Sequence, residues 1–168
     1  MRVLVFGGGQ LATEIARRAP DGLHPDMAGR ARADLEVSGA CDALIREAAP
    51  DAVINAAAYT AVDRAEEDED RATRINGAAP GEMARACAVL GIPLVQVSSD
   101  YVFDGAGTVP WQPGDAPAPL GAYGRSKLAG EEAVRASGAV HAILRTSWVV
   151  SAHGANFVRT MLRLGRER

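Results

Sequence analysis

The sequence predicts an α/β fold, a doubly wound parallel sheet with helices on both faces. Short apolar runs alternate with longer alanine-rich segments of helical character, which is the order expected of repeated βαβ units. The chain has 168 residues, of which 48% are hydrophobic and 23% charged, as is typical of one soluble domain spanning residues 1–168. A glycine-rich turn directly follows the first apolar run. These observations favour one α/β unit that begins with a strand.

Five strands and five helices are expected in alternation. Strands are predicted at residues 2–6, 22–26, 52–55, 93–97 and 140–146, the second being the weakest. Helices are predicted at residues 10–19, 40–49, 71–90, 122–136 and 156–164. Pro50 ends the second helix and Gly91 the third. Residues 52–55 are apolar on both faces, as a central parallel strand should be.

Residues 103–121 have little periodicity and are rich in glycine and proline. Long loops within compact domains are usually functional or disordered. We interpret this loop as one wall of a cleft because it lies between Ser99 and Tyr123, two candidate functional residues. The alternative is a mobile surface connector. The acidic run at residues 66–70 is interpreted as a helix start rather than a metal site, since acidic residues favour helix N-termini.

Charge and cysteine usage exclude several functional classes. A net charge of −3 and a pI near 5.6 provide no basic field, so neither nucleic acid nor an anionic membrane is an implied partner. Cys41 and Cys87 lie far apart without metal-ligand spacing, which argues against a disulfide framework or a zinc site. No apolar run approaches the length of a signal peptide or a membrane span. We therefore expect a cytoplasmic protein.

The segment from Gly7 to Ala12 fits the pattern Gly-x-Gly-x-x-Ala between a predicted strand and a predicted helix. Glycines permit a tight turn and let the backbone approach a pyrophosphate, whose charge meets the positive end of the helix. A small third residue lets the helix pack on the strand. The motif predicts a Rossmann-like dinucleotide site for NADPH or NADH.

The choice between the two cofactors stays open. The acid expected about twenty residues further on to bind a ribose hydroxyl is Asp26 or Asp34. Arg30 and Arg32 are close in sequence and could instead bind the 2′-phosphate of NADPH.

Tyr123 and Lys127 are four residues apart on a predicted helix, which places them on one face. A nearby ammonium lowers the cost of ionising a phenol and makes it a usable acid and base. An incidental pair on a surface helix is the alternative, since the spacing alone is a weak signal.

Two further stretches follow predicted strands, at the sheet edge where ligands bind in open α/β folds. Three alanines after Asn55 leave room for a flat ring or ribose, or else form a small-residue packing site, and both interpretations stay open. Ser99 can donate a hydrogen bond to a carbonyl oxygen, or it can cap the following turn.

Four runs together resemble the extended short-chain dehydrogenase/reductases, and within them the branch that reduces dTDP-linked 4-dehydro sugars. These runs are NAAAYTAVD at 55–63, SSDYVFDG at 98–105, YGRSKLAGE at 123–131 and LRTSWVV at 144–150. The resemblance extends from Met1 almost to Arg168. The glycine turn departs from the family's Gly-x-x-Gly-x-x-Gly by being one residue shorter and ending in Ala12.

The resemblance implies roles for individual residues. Tyr123, Lys127 and Ser99 match the catalytic trio, and Trp148 matches a residue associated with the nucleotide-sugar substrate. Asp34 and Leu35 are further candidates for cofactor binding. The other cofactor-binding positions, which include the trio itself, are Gly7, Gly9, Gln10, Leu11, Ala57, Ala58, Tyr59, Ser99, Asp100, Tyr123 and Lys127.

The implied reaction is NAD(P)H-dependent reduction of the C4 carbonyl of dTDP-4-dehydro-6-deoxy-L-mannose to dTDP-L-rhamnose. The resemblance alone allows Mg²⁺ and a homodimer. Family members are longer, so the C-terminal substrate part is expected to be largely absent, whether the chain is a fragment or a reduced protein. Two alternatives remain: a nucleotide-sugar epimerase or dehydratase, and a non-catalytic regulatory subunit on the same fold.

Overall fold

A computed structural model describes residues 1–167 and contains a five-stranded sheet in the order β2-β1-β3-β4-β5. All four strand pairs are parallel, which confirms the predicted α/β fold. The strands are β1 (Arg2–Phe6), β2 (His24–Ala28), β3 (Ala52–Asn55), β4 (Leu94–Ser99) and β5 (His141–Thr146).

The connecting helices follow the predicted order. They are α1 (Gln10–Arg17), α2 (Ala40–Ala48), α3 (Glu69–Thr73), α4 (Ala79–Leu90), α5 (Ala122–Arg135) and α6 (Phe157–Arg166). Short 3₁₀ turns occupy Asp63–Glu66 and Asp100–Val102. A π-helical segment, Arg74–Ala78, joins α3 to α4, so one continuous helical rod runs from residue 69 to residue 90.

The two faces of the sheet are covered unequally. Leu4 and Phe6 of β1 point to the larger core, where α2 and α4 pack and contribute Ile45 and Met83. The alternate residues of β1 point to a smaller cluster that contains Ala12 of α1. No residue of α6 is buried. The second face is therefore built around α1 and lies open towards β5.

The topology places a binding crevice next to β1. From β1 the chain crosses to β2 on one side, and the later strands β3, β4 and β5 lie in order on the other side. The carboxyl ends of β1 and β3 are in register, with Phe6 beside Asn55. Such a reversal of strand order is where open α/β sheets bind ligands.

The differences from the predicted elements have local causes. The second strand begins two residues later than predicted and includes Pro25, which an edge strand tolerates because its outer backbone groups have no ladder partner. The fourth strand continues through Ser98 and Ser99. The predicted strand ends at residue 97 because these two side chains are polar and interrupt the apolar run. The third helix begins at Glu69 rather than residue 71, within the acidic run. Residues 103–121 form neither helix nor strand, as predicted.

Among residues 1–167, no helix has both the length and the apolar character needed to cross a bilayer.

Candidate active site

A cavity of about 750 Å³ opens at the carboxyl ends of the central strands. Eleven of the residues predicted to bind cofactor line it: Gly7, Gly9, Gln10, Leu11, Asp34, Leu35, Ala57, Ala58, Tyr59, Tyr123 and Lys127. The structure therefore brings together residues that are up to 120 positions apart in the sequence.

The glycine turn has the shape of a phosphate cradle. Gly7 has φ +124°, and a Cβ there would lie 3.1 Å from the carbonyl carbon and oxygen of Ala56, so only glycine fits. Helix α1 begins after Gly9 without a side-chain cap, which leaves its first N–H groups free for an anion. Ala12 is fully buried against the sheet. These features fit a dinucleotide pyrophosphate, despite the shortened motif.

A second cavity of about 730 Å³ adjoins the first. Ser99, Asp100 and Trp148 line this second cavity and do not line the first. Four residues line both cavities: Ser98, Tyr123, Thr146 and Val149. Tyr123 therefore lies at the boundary between the two cavities.

Ser99 ends β4 at this boundary. Its hydroxyl donates to Oδ1 of Asp100 at 3.1 Å and accepts from the backbone N–H of Tyr101 at 3.2 Å, so it does cap the 3₁₀ turn. Burial raises the pKa of the Tyr123 phenol, and a hydrogen bond with Ser99 partly offsets that rise. The Tyr123 ring packs edge to face on Tyr101 with 5.5 Å between the ring centroids. At neutral pH Tyr123 thus carries its proton.

Lys127 lies one helical turn after Tyr123 and is 3% exposed. Its Nζ donates to the carbonyl oxygen of Val97 at 2.7 Å. Burial lowers the pKa of the Lys127 ammonium to about 8, against the opposing effect of the Glu131 carboxylate. The amine is thus poised to change charge near physiological pH.

This lowered pKa predicts a pH-dependent contribution to stability. The folded chain holds the Lys127 proton more weakly than the unfolded chain, so unfolding takes up a proton between a pH of about 8 and one near 10.5. We expect the free energy of unfolding of the wild type, relative to Lys127→Met, to rise by about 2 kcal/mol from pH 7 to pH 10. Urea titrations of both proteins across this range measure the difference.

The same comparison controls for the two buried thiols. Burial raises the pKa of Cys41 and of Cys87 to about 12, which lowers stability as the pH rises through the thiol's ordinary value of 9.0. Both proteins contain these thiols, so their effect cancels in the difference. If the free energies of unfolding of the wild type and Lys127→Met differ by the same amount at every pH, Lys127 keeps an ordinary pKa.

The structure separates the candidates for ribose or 2′-phosphate binding. Asp34 and Arg30 line the first cavity, with Arg30 at 3.0 Å from a Glu36 carboxylate oxygen and 3.8 Å from one of Asp34. Asp26 pairs instead with Arg32, and both line a separate surface groove. Asp34 and Arg30 are thus better placed than Asp26 and Arg32 to contact a ribose or 2′-phosphate in the first cavity.

Two buried amides that the sequence reasoning missed fix the stretch after β3. The Asn55 side chain accepts from the backbone N–H of Ala57 at 3.1 Å. The Asn76 side chain accepts from the N–H of Tyr59 at 2.9 Å and donates to the Tyr59 carbonyl at 3.0 Å. Asn76 and Gly77, two poor helix formers in an otherwise helical run, were the available signal, and both lie in the π-helical segment.

No group of three or more His, Cys, Asp or Glu side chains converges within residues 1–167. The described residues thus offer no support for the Mg²⁺ that the resemblance allowed.

Comparison with known proteins identifies the chain's relatives. The family model described as RmlD substrate binding domain matches residues 1–168. A dTDP-4-dehydrorhamnose reductase from Sinorhizobium fredii is 45% identical over 165 residues, which are 98% of this chain and 56% of that protein. The chain therefore spans little more than half the length of this curated relative.

Two solved structures place the fold among nucleotide-sugar enzymes. A dTDP-4-dehydrorhamnose reductase from Bacillus anthracis in complex with NADP is 36% identical with a TM-score of 0.95, covering 99% of this chain and 60% of its own. A UDP-glucose 4-epimerase from Brucella ovis in complex with NAD is 25% identical with a TM-score of 0.74, covering 86% and 51% respectively.

Proposed function

Because this chain belongs to the RmlD family, whose curated relatives are dTDP-4-dehydrorhamnose reductases, we propose that it serves the same reduction. The substrate is dTDP-4-dehydro-6-deoxy-L-mannose and the product dTDP-L-rhamnose. The observation that carries the proposal is the position of Tyr123, whose side chain borders both cavities. A proton donor at that boundary can reach a carbonyl next to a bound cofactor.

The roles of the site residues follow from the negative charge that develops on the carbonyl oxygen of the sugar during reduction. NADPH, when bound, supplies the hydride that adds to the carbonyl carbon of the sugar. Tyr123 donates its phenolic proton to the carbonyl oxygen as that oxygen becomes negative. The Ser99 hydroxyl, which donates to Asp100 in the free chain, would rotate to donate a hydrogen bond to the same oxygen. Lys127, one helical turn from Tyr123, would bind the cofactor ribose and place a positive charge near the tyrosinate that forms. Trp148, which lines the second cavity, would contact the sugar nucleotide there.

Residues 1–168 would then form one cofactor-binding domain that also carries the catalytic side chains. Cys41 and Cys87 are free and buried, which suits a protein of the reducing cytoplasm.

The defining experiment measures NADPH oxidation with the sugar nucleotide, alongside a separate titration of NADPH binding. We expect one NADPH consumed for each molecule of sugar reduced. An epimerase would change the sugar without net oxidation of the cofactor, and a regulatory subunit would bind NADPH without turnover. Sugar epimerised without NADPH consumption would replace the reductase assignment, and NADPH binding without turnover would favour the regulatory alternative.

We further propose that the preferred cofactor is NADPH, since Arg30 supplies a cation beside the cavity at the end of β2. We expect Arg30→Ala to weaken NADPH binding by about tenfold, the loss of one charged hydrogen bond, and NADH binding far less. Isothermal titration with each cofactor measures the two affinities. Arg32→Ala is the matched control, because both arginines have carboxylate partners but Arg32 lines a separate groove outside the first cavity. Equal losses for NADPH and NADH in Arg30→Ala would refute the preference.

A further inference from the structure

We propose that Glu131 is a positioning residue that orients Arg145 and thereby fixes the aromatic wall of the second cavity, where the sugar nucleotide binds. The binding role rests on the proposed function, whereas the effect on the wall does not. The aromatic wall consists of Phe103 and Trp111, both from the long loop and both lining that cavity.

Glu131 is a buried carboxylate with every oxygen engaged. It is 0% exposed on α5, one helical turn after Lys127. Oε1 accepts from the Ser98 hydroxyl at 2.6 Å and from Nε of Arg145 at 2.9 Å, and Oε2 accepts from Nη2 of Arg145 at 2.7 Å. Oε2 also accepts from Arg135 at 2.9 Å. Burial alone would raise the pKa of Glu131, but the bonds from Arg145, Ser98 and Arg135 hold it below its ordinary value.

The pair with Arg145 is bidentate, so it fixes the plane of the guanidinium as well as its position. The guanidinium carbon lies 4.7 Å from the centroid of the Phe103 ring. Phe103 stacks on Trp111 with 4.5 Å between centroids and an angle of 6° between planes. The remaining Nη1 donates to the Pro113 carbonyl at 3.4 Å. One buried carboxylate thus connects α5, through a single cation, to Phe103 of the aromatic wall and to the loop backbone at Pro113.

This arrangement explains how an irregular loop presents a defined surface. Residues 103–121 have no helix or strand to hold them, and stacking between two rings alone allows sliding. A cation held rigidly against Phe103 fixes the stack relative to β4, because Ser98 anchors the same carboxylate to the strand that ends in Ser99. The aromatic wall and the Ser99 hydroxyl are therefore both positioned by the end of β4.

The test follows Trp111 directly. The chain has two tryptophans, so Trp148→Phe leaves Trp111 as the sole reporter. In that background we expect Glu131→Gln to increase acrylamide quenching of Trp111 by roughly 1.5- to twofold, because one cation–π contact is lost. The increase is limited because Trp111 is already 40% exposed in the stacked arrangement. Arg145→Lys keeps a positive charge next to Glu131 but loses the planar, bidentate group, and we expect the same increase.

Arg135→Gln is the matched control. Arg135 also bonds Glu131, but its side chain is 45% exposed and does not contact the wall, so quenching should stay at the background value. Thermal unfolding of each variant identifies the temperature range in which it is folded. If Glu131→Gln does not fold, Arg145→Lys decides the result. Unchanged quenching in a folded Glu131→Gln or Arg145→Lys would overturn the proposal.

Activity provides a second and separate readout, measured with Trp148 present. We expect Glu131→Gln to raise KM for the sugar nucleotide by about threefold or more while NADPH affinity is retained. If no protein of the series turns over, the proposed function fails, yet the quenching result still decides the role of Glu131. Raised quenching with an unchanged KM would refute the binding role alone.

Discussion

Tyr123→Phe is expected to lower the turnover of NADPH with the sugar nucleotide by about 10²–10⁴-fold, the usual contribution of a positioned general acid. The substitution removes one oxygen and keeps the ring that packs on Tyr101. Burial keeps the phenol protonated at neutral pH, since it raises the pKa of Tyr123. The lost function is therefore proton donation. Stopped-flow measurement of NADPH oxidation under single-turnover conditions isolates this step.

Tyr101→Phe is the matched control for this prediction. It removes the same oxygen from the neighbouring ring, which is 52% exposed, and should reduce turnover far less. NADPH affinity should be nearly the same in the wild type and in both variants, because neither substitution alters the phosphate cradle around Gly7. Hydride transfer in Tyr123→Phe at the wild-type rate would remove Tyr123 from the catalytic assignment.

Gly130→Ala is expected to destabilise the fold by roughly 3 kcal/mol or more, at the upper end of overpacking effects. A Cβ at Gly130 would lie 2.1 Å from the Asn76 carbonyl oxygen, and backbone atoms cannot move aside as a flexible side chain can. Helix α5 would have to move away from the π-helical segment. Circular dichroism melts should show a midpoint lower by about 6–12 °C for a chain of this size.

Gly165→Ala provides the matched control, since Gly165 is also helical but has no atom within 4 Å of its added Cβ. We expect its stability to stay within about 1 kcal/mol of the wild type, because only helix propensity changes. A melting midpoint for Gly130→Ala equal to that of Gly165→Ala would mean that the helices separate at little cost. The close packing of α5 would then not be needed for stability.

The sequence supported the fold and much of the site because both depend on local patterns. Apolar runs locate the strands of a buried parallel sheet, and the Gly7 turn and the Tyr123/Lys127 spacing have strict local requirements. The order of the elements then places their strand ends at one edge without further information.

Contacts between distant segments could not be predicted in this way. Nothing near Asn76 indicates that its amide holds Tyr59, and nothing near Glu131 indicates an arginine fourteen residues further on. The choice between Arg30 and Arg32 depends on which side of the chain faces the cavity at the end of β2. Each of these outcomes is set by tertiary packing.

The π-helical segment also rotates the side chains of α3 about the helix axis relative to those of α4. Each residue of an α-helix turns the chain by about 100°, so a stretch wound more widely rotates the preceding side chains relative to those that follow. Arg71, before this segment, lines the first cavity, while Met83 and Cys87, beyond it, pack in the core. The side chains of α3 and those of α4 can therefore face different parts of the molecule, although both helices belong to one rod. A change in the winding of Arg74–Ala78 would redirect the cavity-lining part while the core-facing part kept its register with the sheet.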